Sequence, residues 1–302
     1  MKLCVSIEIQ EGLSYAETLA LARAAEDAGF DAALLAEHYC ASSGTGDRTA
    51  ADAWVYLAAL ARETERIRLG TLVSPVTFRH PSVLAKLAAT LDHVSGGRAE
   101  LGLGAGWLET EHEAYGFPFP SAVERVDLLE EQLEVITGLW TQEPFSHVGR
   151  AYRLRDCAFT PKPVQQPHPP LIVGGRPGSK RLPLLAARYA QEYVVSMPSL
   201  SECEQIARRL RGACPLSVFT YMCIAESEEE VERRLDGLTS DLRPEMRRVD
   251  RWIVGTREAA YERLASLARS GVQRIFLAVW DESHRRMLEL LATGPTPVDR
   301  TN

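Results

Sequence analysis

The sequence lacks the cysteine and histidine spacings that are typical of redox or metal sites. Its six cysteines include no Cys-x-x-Cys pair, and they do not cluster with the seven histidines at a zinc-like spacing. We therefore predict free thiols, no metal centre and a protein of the reducing cytoplasm.

Long apolar runs and excess positive charge are also scarce. The apolar stretch 1–7 runs directly into Glu8, which is unlike a secretory signal peptide. No uncharged apolar run has the length of a membrane span, so we expect no membrane partner. The formal net charge of −7 disfavours a general attraction to nucleic acid.

The chain does contain a regular alternation of short aliphatic segments with amphipathic ones. The predicted strands lie near 2–9, 32–36, 67–73, 99–103, 170–174, 192–196, 216–223 and 274–279. The predicted helices lie near 15–28, 52–64, 81–94, 122–140, 179–190, 201–210, 228–238, 257–270 and 283–292. Eight strands in this order favour a closed parallel (β/α)8 barrel, a TIM barrel, in one domain over residues 1–302.

One segment interrupts the alternation between the fourth and fifth predicted strands. Residues 145–154 resemble a hairpin that turns at Gly149-Arg150, and a proline-rich run over 161–170 leads to the next strand. Barrels carry such insertions on the rim. The segment 145–170 is therefore predicted to be a rim insertion and a candidate lid over the mouth.

Several blocks of the sequence resemble the luciferase-like oxidoreductases. These blocks are 69–81 (LGTLVSPVTFRHP), 91–98 (LDHVSGGR), 101–107 (LGLGAGW), 161–163, 169–175, 253–256 and 271–276. Together they cover almost the whole chain, and they are most similar to the branch that uses the deazaflavin F420. The resemblance implies a (β/α)8 barrel, F420 as cofactor, a small organic substrate and a homodimer.

Two alternatives stay open beside an F420-dependent oxidoreductase. The Glu37-His38 pair is also shown by FMN-dependent members, which implies a monooxygenase that takes reduced flavin from a partner reductase and uses O2. A barrel that only binds a ligand is the other alternative. Trp107 stands where the F420-dependent sugar-phosphate dehydrogenases have glutamate, which argues against glucose 6-phosphate as the substrate.

His38 is the candidate catalytic residue. It follows the second predicted strand, and the ends of barrel strands form the catalytic mouth. An imidazole there can exchange a proton with a substrate near neutral pH, and the resemblance places a histidine beside the reactive ring of the cofactor. The competing interpretation is a histidine that caps loop backbone. Glu8 and Glu37 are rivals if burial raises their pKa values, although we interpret Glu37 as a partner of buried backbone.

The resemblance also implies a bulge in the third strand, often with a non-prolyl cis peptide, that presses on one face of the cofactor ring. The residues of this bulge are Thr71, Leu72, Val73 and Ser74. After the fourth strand, Gly104 and Gly106 would let a flat ring system approach the backbone, and Trp107 offers a stacking surface.

The third predicted cofactor segment follows the fifth strand. Its residues are Gly174, Gly175, Arg176 and Ser179. Free N–H groups at the start of the following helix suit a phosphate group, which matches the cofactor-phosphate position of the family. Arg176, Lys180 and Arg181 are predicted to reach the anionic polyglutamate tail of F420.

The other histidines are interpreted as structural. His80 and His93 have positions suited to a helix start and a helix end. The remaining four are expected in polar surroundings: His112, His147, His168 and His284. The predicted homodimer pairs through the outer helices of the early barrel units, where Trp54 and Tyr56 are expected to be exposed and apolar.

Overall fold

Residues 1–41, 48–240, 249–281 and 283–292 are described in the computed structural model. The strands are β1 (Lys2–Ile7), β2 (Ala32–Leu35), β3 (Arg68–Pro75), β4 (Ala99–Gly104), β5 (Phe145–Val148), β6 (Arg153–Cys157), β7 (Leu171–Gly175), β8 (Glu192–Ser196), β9 (Leu216–Thr220), β10 (Met222–Ala225), β11 (Ile253–Thr256) and β12 (Val272–Val279). The helices are α1 (Tyr15–Asp27), α2 (Ala53–Glu63), α3 (Pro81–Ser95), α4 (Glu109–Tyr115), α5 (Ala122–Thr141), α6 (Leu182–Tyr189), α7 (Leu200–Leu210), α8 (Glu228–Ser240), α9 (Arg257–Arg269) and α10 (Ser283–Ala292), with short 3-10 helices at Ile9–Glu11 and Val249–Arg251.

Eight parallel strands close into a barrel. Their order around it is β1, β2, β3, β4, β7, β8, β9 and β12, and β12 pairs with β1 from Lys2↔Arg274 to Ile7↔Val279. All eight predicted strands contribute to this barrel, so the predicted (β/α)8 fold is confirmed. The same strand direction brings all carboxyl ends to one mouth.

Local sequence signals explain where the outer helices start and stop. Ser14 and Glu17 form a reciprocal capping box at the start of α1. The ring Nδ1 of His80 accepts a hydrogen bond from the Ser82 N–H at the start of α3, where Pro81 takes the first position. Gly96 ends the same helix with φ +66°. The helix-start role predicted for His80 is therefore confirmed.

The seventh predicted strand, 216–223, is in fact two strands. The chain breaks at Tyr221, after which β10 leaves the barrel and pairs in parallel with β11, Met222 opposite Ile253. Thr220 Oγ1 donates to the Arg251 carbonyl at 2.8 Å at this point of divergence. Both β9 and β10 are apolar. The apolar pattern therefore predicted a single strand and gave no sign of the break between the two.

The hairpin predicted within the insertion is confirmed, and it packs against α5. β5 and β6 pair antiparallel between the fourth and fifth barrel strands. The Glu131 carboxylate on α5 accepts from the Ala151 and Tyr152 N–H groups at 3.0 and 2.8 Å, and Phe145 packs against Gly138 of the same helix. These contacts lay the hairpin along α5. The Tyr152 ring also meets the ring of His80 edge-on, with centroids 5.1 Å apart, and the lid role of the insertion stays a prediction.

Two further predictions about exposure are corrected by the packing. Trp54 on α2 is buried in the core and Tyr56 is half-buried, its ring meeting Tyr15 edge-on. The exposed apolar side chains of this region are instead Val55 on α2 and Val83 on α3. Among the described helices, none combines the length and the apolar character that crossing a membrane requires. All six cysteines are free thiols.

The N-terminal end of the barrel is closed by a buried ionic cluster. Arg274 Nη1 donates to Glu100 at 3.1 Å and to Glu192 at 2.6 Å. Arg274 Nη2 lies 3.1 Å from Asp31, and Arg68 pairs with Glu100 from the side. Above this cluster the interior is filled by Cys4, Ala32, Leu34, Ile172, Val194 and Phe276. The opposite, C-terminal end is the one that stays open to a ligand.

Candidate functional site

The mouth brings together residues from three separate sequence predictions. His38 follows β2, Trp107 follows β4 and Arg176 follows β7. The rings of His38 and Trp107 meet edge-on with centroids 5.6 Å apart, and the Arg176 guanidinium lies 5.0 Å from the Trp107 ring centroid. Trp107 is thus held between a histidine and a cation, as in other aromatic–cation contacts.

His38 is oriented by a carboxylate that sequence analysis missed. Its Nδ1 lies 3.0 Å from Oε1 of Glu111, and Oε2 of Glu111 accepts from the Tyr39 N–H at 3.0 Å. Glu111 is buried in the first turn of α4. The pairing makes Nδ1 the donor to Glu111 and leaves Nε2 without a partner among the described residues, which suits proton exchange with a ligand.

The charge on His38 is favoured by its surroundings. Burial lowers the pKa of His38, but the hydrogen bond and charge of Glu111, with the charges of Glu8 and Glu11, outweigh it, so the pKa is raised. A raised pKa keeps the imidazolium populated near neutral pH. His38 is therefore equipped to act as a proton donor in the mouth.

Glu111 is held in place by its neighbour in the chain. The ring of His112 donates from Nδ1 to the Leu108 carbonyl at 2.7 Å and accepts at Nε2 from the Thr77 hydroxyl at 2.6 Å. This histidine is fully buried with both ring nitrogens hydrogen-bonded, and its structural role agrees with the prediction. The seven-residue α4 is too short for an apolar repeat, which is why it escaped sequence analysis.

Glu37 belongs to a second network, in which each of its carboxylate oxygens has a side-chain partner. It pairs with Arg79 and accepts from the Ser74 hydroxyl, so its partners are side chains and not the predicted backbone groups. Arg79 also donates to Asp52 Oδ2 at 3.0 Å and to the Tyr39 hydroxyl at 3.1 Å. Burial raises the pKa of Glu37, although the charge of Arg79 and the hydrogen bonds from Ser74 and Arg79 oppose the shift.

The predicted bulge of the third strand is present. The pairing of β3 with β4 shifts between Thr71 and Ser74, and the Leu72–Val73 peptide is cis. Thr71 and Ser74 are buried, and the Thr71 hydroxyl donates to the Gly102 carbonyl at 3.1 Å. The half-buried Leu72 and Val73 are therefore the pair in this segment with side-chain surface open to a ligand.

The glycines of the mouth make room for a side chain of the protein itself. A Cβ on Gly104 would lie 2.5 Å from Cγ2 of Val73, and one on Gly174 would lie 2.9 Å from its Cγ1. Val73 therefore packs closely against the Cα of both glycines, and the approach of a flat ring to Gly104 stays a prediction. Gly106 has φ +77° and turns the chain toward α4, and Gly175 faces the Tyr193 hydroxyl.

The predicted phosphate loop differs in where its helix begins. α6 starts at Leu182 and not at 179, and the Ser179 hydroxyl accepts from the Leu182 N–H at 3.3 Å. Arg181 is bound to Asp127 at 2.7 Å and to Glu130 on α5, which removes it from the cations expected to meet an anionic tail. Arg176 and Lys180 remain exposed in this loop.

On the other side of the mouth lies a cavity of about 410 Å³. Glu8, at the end of β1, contributes a buried carboxylate to its wall. The carboxylate accepts from the Ser6 hydroxyl at 2.7 Å and from Gln10 Nε2 at 2.9 Å. Burial raises the pKa of Glu8 to about 6, against these two hydrogen bonds and the charge of His38.

Comparison with known proteins identifies the family. The luciferase-like monooxygenase model matches residues 2–274. The FMNH2-dependent dimethylsulfone monooxygenase of Pseudomonas putida is 29% identical over 74% of this chain and 62% of its own length. An F420-dependent glucose-6-phosphate dehydrogenase of Microbacterium testaceum is 35% identical over 57% of this chain and 50% of its own.

A solved structure agrees with the fold. Monooxygenase RslO1 from Streptomyces bottropensis superposes with a TM-score of 0.79 over 97% of this chain and 98% of its own, at 23% identity. The two curated relatives are matched over half to three-fifths of their length, and they use different cofactors. The comparisons therefore identify the family and leave both F420 and FMN as cofactors of relatives.

Proposed function

The chain belongs to the luciferase-like monooxygenase family, and from this premise we propose that it is an F420-dependent oxidoreductase acting on a small organic molecule. Hydride transfer is the chemistry that F420 supplies when bound. The single observation that carries the proposal is the His38–Glu111 pair, at 3.0 Å, in the mouth of the barrel. His38 Nε2 exchanges the proton that must accompany a hydride.

The residues of the mouth fit a ring-shaped cofactor with a phosphate. Leu72 and Val73 offer a half-buried apolar wall, Trp107 an aromatic surface, and Arg176 an exposed cation. This wall is supported by the buried residues next to it. Thr71 and Ser74 hold β3 against β4, and the mouth glycines leave room for Val73. Lys180 and Arg176 would meet the anionic tail, a feature that favours F420 over FMN.

The runner-up is an FMN-dependent monooxygenase supplied by a partner reductase. It is favoured by the Pseudomonas relative, which matches a larger share of the chain than the F420-dependent one. Here too His38 and Glu111 would serve as the proton-exchanging pair. A barrel that binds a ligand without turnover is the remaining alternative.

Titration of the purified protein with each cofactor separates these proposals. We expect F420 to bind with a micromolar Kd and FMN much more weakly, as monitored by absorbance and fluorescence. Tighter binding of FMN in the same experiment would favour the monooxygenase. Binding of neither would favour the ligand-binding barrel.

We also propose a homodimer that pairs through the outer helices of the early barrel units. Val55 and Val83 are 68% and 51% exposed on α2 and α3, and an interface there would cover them. Sedimentation at micromolar concentration tests this, and a monomeric mass would refute it.

A further inference from the structure

The cavity of about 410 Å³ lies on the side of the mouth that the proposed cofactor residues do not use. Those residues come from β3, β4 and β7, which are neighbours around the barrel. The cavity is lined from β1, β9 and β12, which are neighbours on the other side, together with α8. His38 follows β2, between the two groups. If the proposed function holds, this cavity is where the substrate meets the cofactor.

The charged side chains that line the cavity are paired, with one exception. Glu11 binds Arg48 at 2.8 Å, and Arg234 binds Glu230 at 2.6 Å. Asp281 lies 3.0 Å from Nδ1 of His284. Within the described parts of the chain, the Glu8 carboxylate has no cation at ion-pair distance.

Residues beside Glu8 in the chain favour the anionic form of its carboxylate. The Ser6 hydroxyl and the Gln10 amide each donate to one carboxylate oxygen, and donation of this kind favours the anion over the acid. Burying an anion is costly when the nearest opposite charge, here that of His38, is beyond ion-pair distance. A cationic ligand would remove that cost, whereas a neutral or anionic one would not.

The wall beside Glu8 suits the organic part of such a cation. Tyr221 and Trp280 line the cavity, their rings edge-to-face with centroids 5.5 Å apart. Aromatic faces attract organic ammonium groups and pack against apolar groups. Arg48 and Arg234 are each neutralised by a carboxylate, so they oppose a cation only weakly.

From this arrangement we infer that the cavity selects a substrate bearing a protonated amine, whose ammonium group pairs with Glu8 and whose carbon skeleton packs against Trp280. The inference rests on the proposed function only in assigning the cavity to the substrate. Glu8 is then the residue that determines substrate class, while His38 exchanges the proton.

Calorimetric titration at pH 7.5, without cofactor, tests the inference with benzylammonium chloride and benzyl alcohol as probes. The two differ little in shape and differ in charge. We expect the full-length protein to bind benzylammonium about tenfold more tightly or better, the size of one buried charge-assisted hydrogen bond. Glu8→Gln keeps the side-chain volume and should abolish this preference. Glu204→Gln, on the exposed face of α7, is the matched control and should retain it.

Equal binding of the two probes, or no binding of the ammonium, by the unmodified protein would overturn the inference, and this comparison does not depend on any variant folding. A preference that persists in Glu8→Gln would overturn the assignment to Glu8. Because no cofactor is present, the result is separate from the F420 titration, so failure of one proposal is distinguishable from failure of the other.

Discussion

Both ends of the barrel bury charged side chains, but the partners of those side chains differ between the two ends. At the N-terminal end, Arg274 is in ion pairs with Glu100 and Glu192. At the mouth, Glu8 has only neutral donors, and His38 has one ring nitrogen without a partner in the described chain. The Arg274 cluster holds the strands of the N-terminal end together, whereas Glu8 and His38 at the mouth can still form bonds with a ligand.

The largest expected effect is at the mouth, on catalysis. His38→Ala should lower turnover by roughly two to four orders of magnitude, the range for a lost general acid, while F420 still binds. Steady-state kinetics with cofactor affinity measured in parallel is the check. Turnover within a few-fold of the original would make His38 structural. Loss of cofactor binding would instead mean that His38 positions the cofactor ring.

The largest effect at the other end should be on stability. Arg274→Met removes the cation between Glu100 and Glu192 and should lower the free energy of unfolding by about 3–5 kcal/mol, because two carboxylates stay buried without it. Urea denaturation measures this. Arg208→Ala, which breaks the exposed pair with Glu204, should change stability by at most about 0.5 kcal/mol. Equal effects of the two variants would contradict the distinction between a buried cluster and a surface pair.

Glu8 should make stability depend on pH in a defined window. Its pKa is raised from 4.5 to about 6 in the folded protein, so its contribution is fully present below pH 4.5 and is lost as the pH rises through 6. The loss amounts to about 2 kcal/mol. Compared with the unmodified protein, Glu8→Gln should gain that amount of relative stability across the window. Parallel curves of stability against pH would show that Glu8 titrates normally.

Glu111→Gln should have a smaller effect on the same catalytic pair. It keeps an acceptor for His38 Nδ1 but removes the charge that raises the pKa of His38. The limb of the pH–rate profile that reports loss of the imidazolium should therefore move to lower pH, and turnover at pH 7.5 should fall about tenfold. A lower rate with an unmoved limb would mean that Glu111 only packs.

Patterns within the sequence were enough to predict the barrel and the position of His38 at its mouth. Apolar periodicity and the order of strands and helices predicted all eight barrel strands, and a parallel barrel brings every strand end, including that of β2 before His38, to one mouth. The hairpin at β5 and β6 was also predictable from its turn. Such signals are local, and each is contained within about one turn or one strand.

The bonding partners of His38 and Glu37 at the mouth come from segments that are far from them in the chain. Glu111 reaches His38 from 73 positions away in the chain, and Arg79 reaches Glu37 from 42. Val73 takes the space beside Gly104 and Gly174, a contact between strands that no local pattern predicts. Periodicity reports that a side chain is buried, but not which charge it is buried against. Whether a mouth carboxylate is in an ion pair, as Glu37 is and as Glu8 is not among the described residues, depends on distant segments that meet only in the closed barrel.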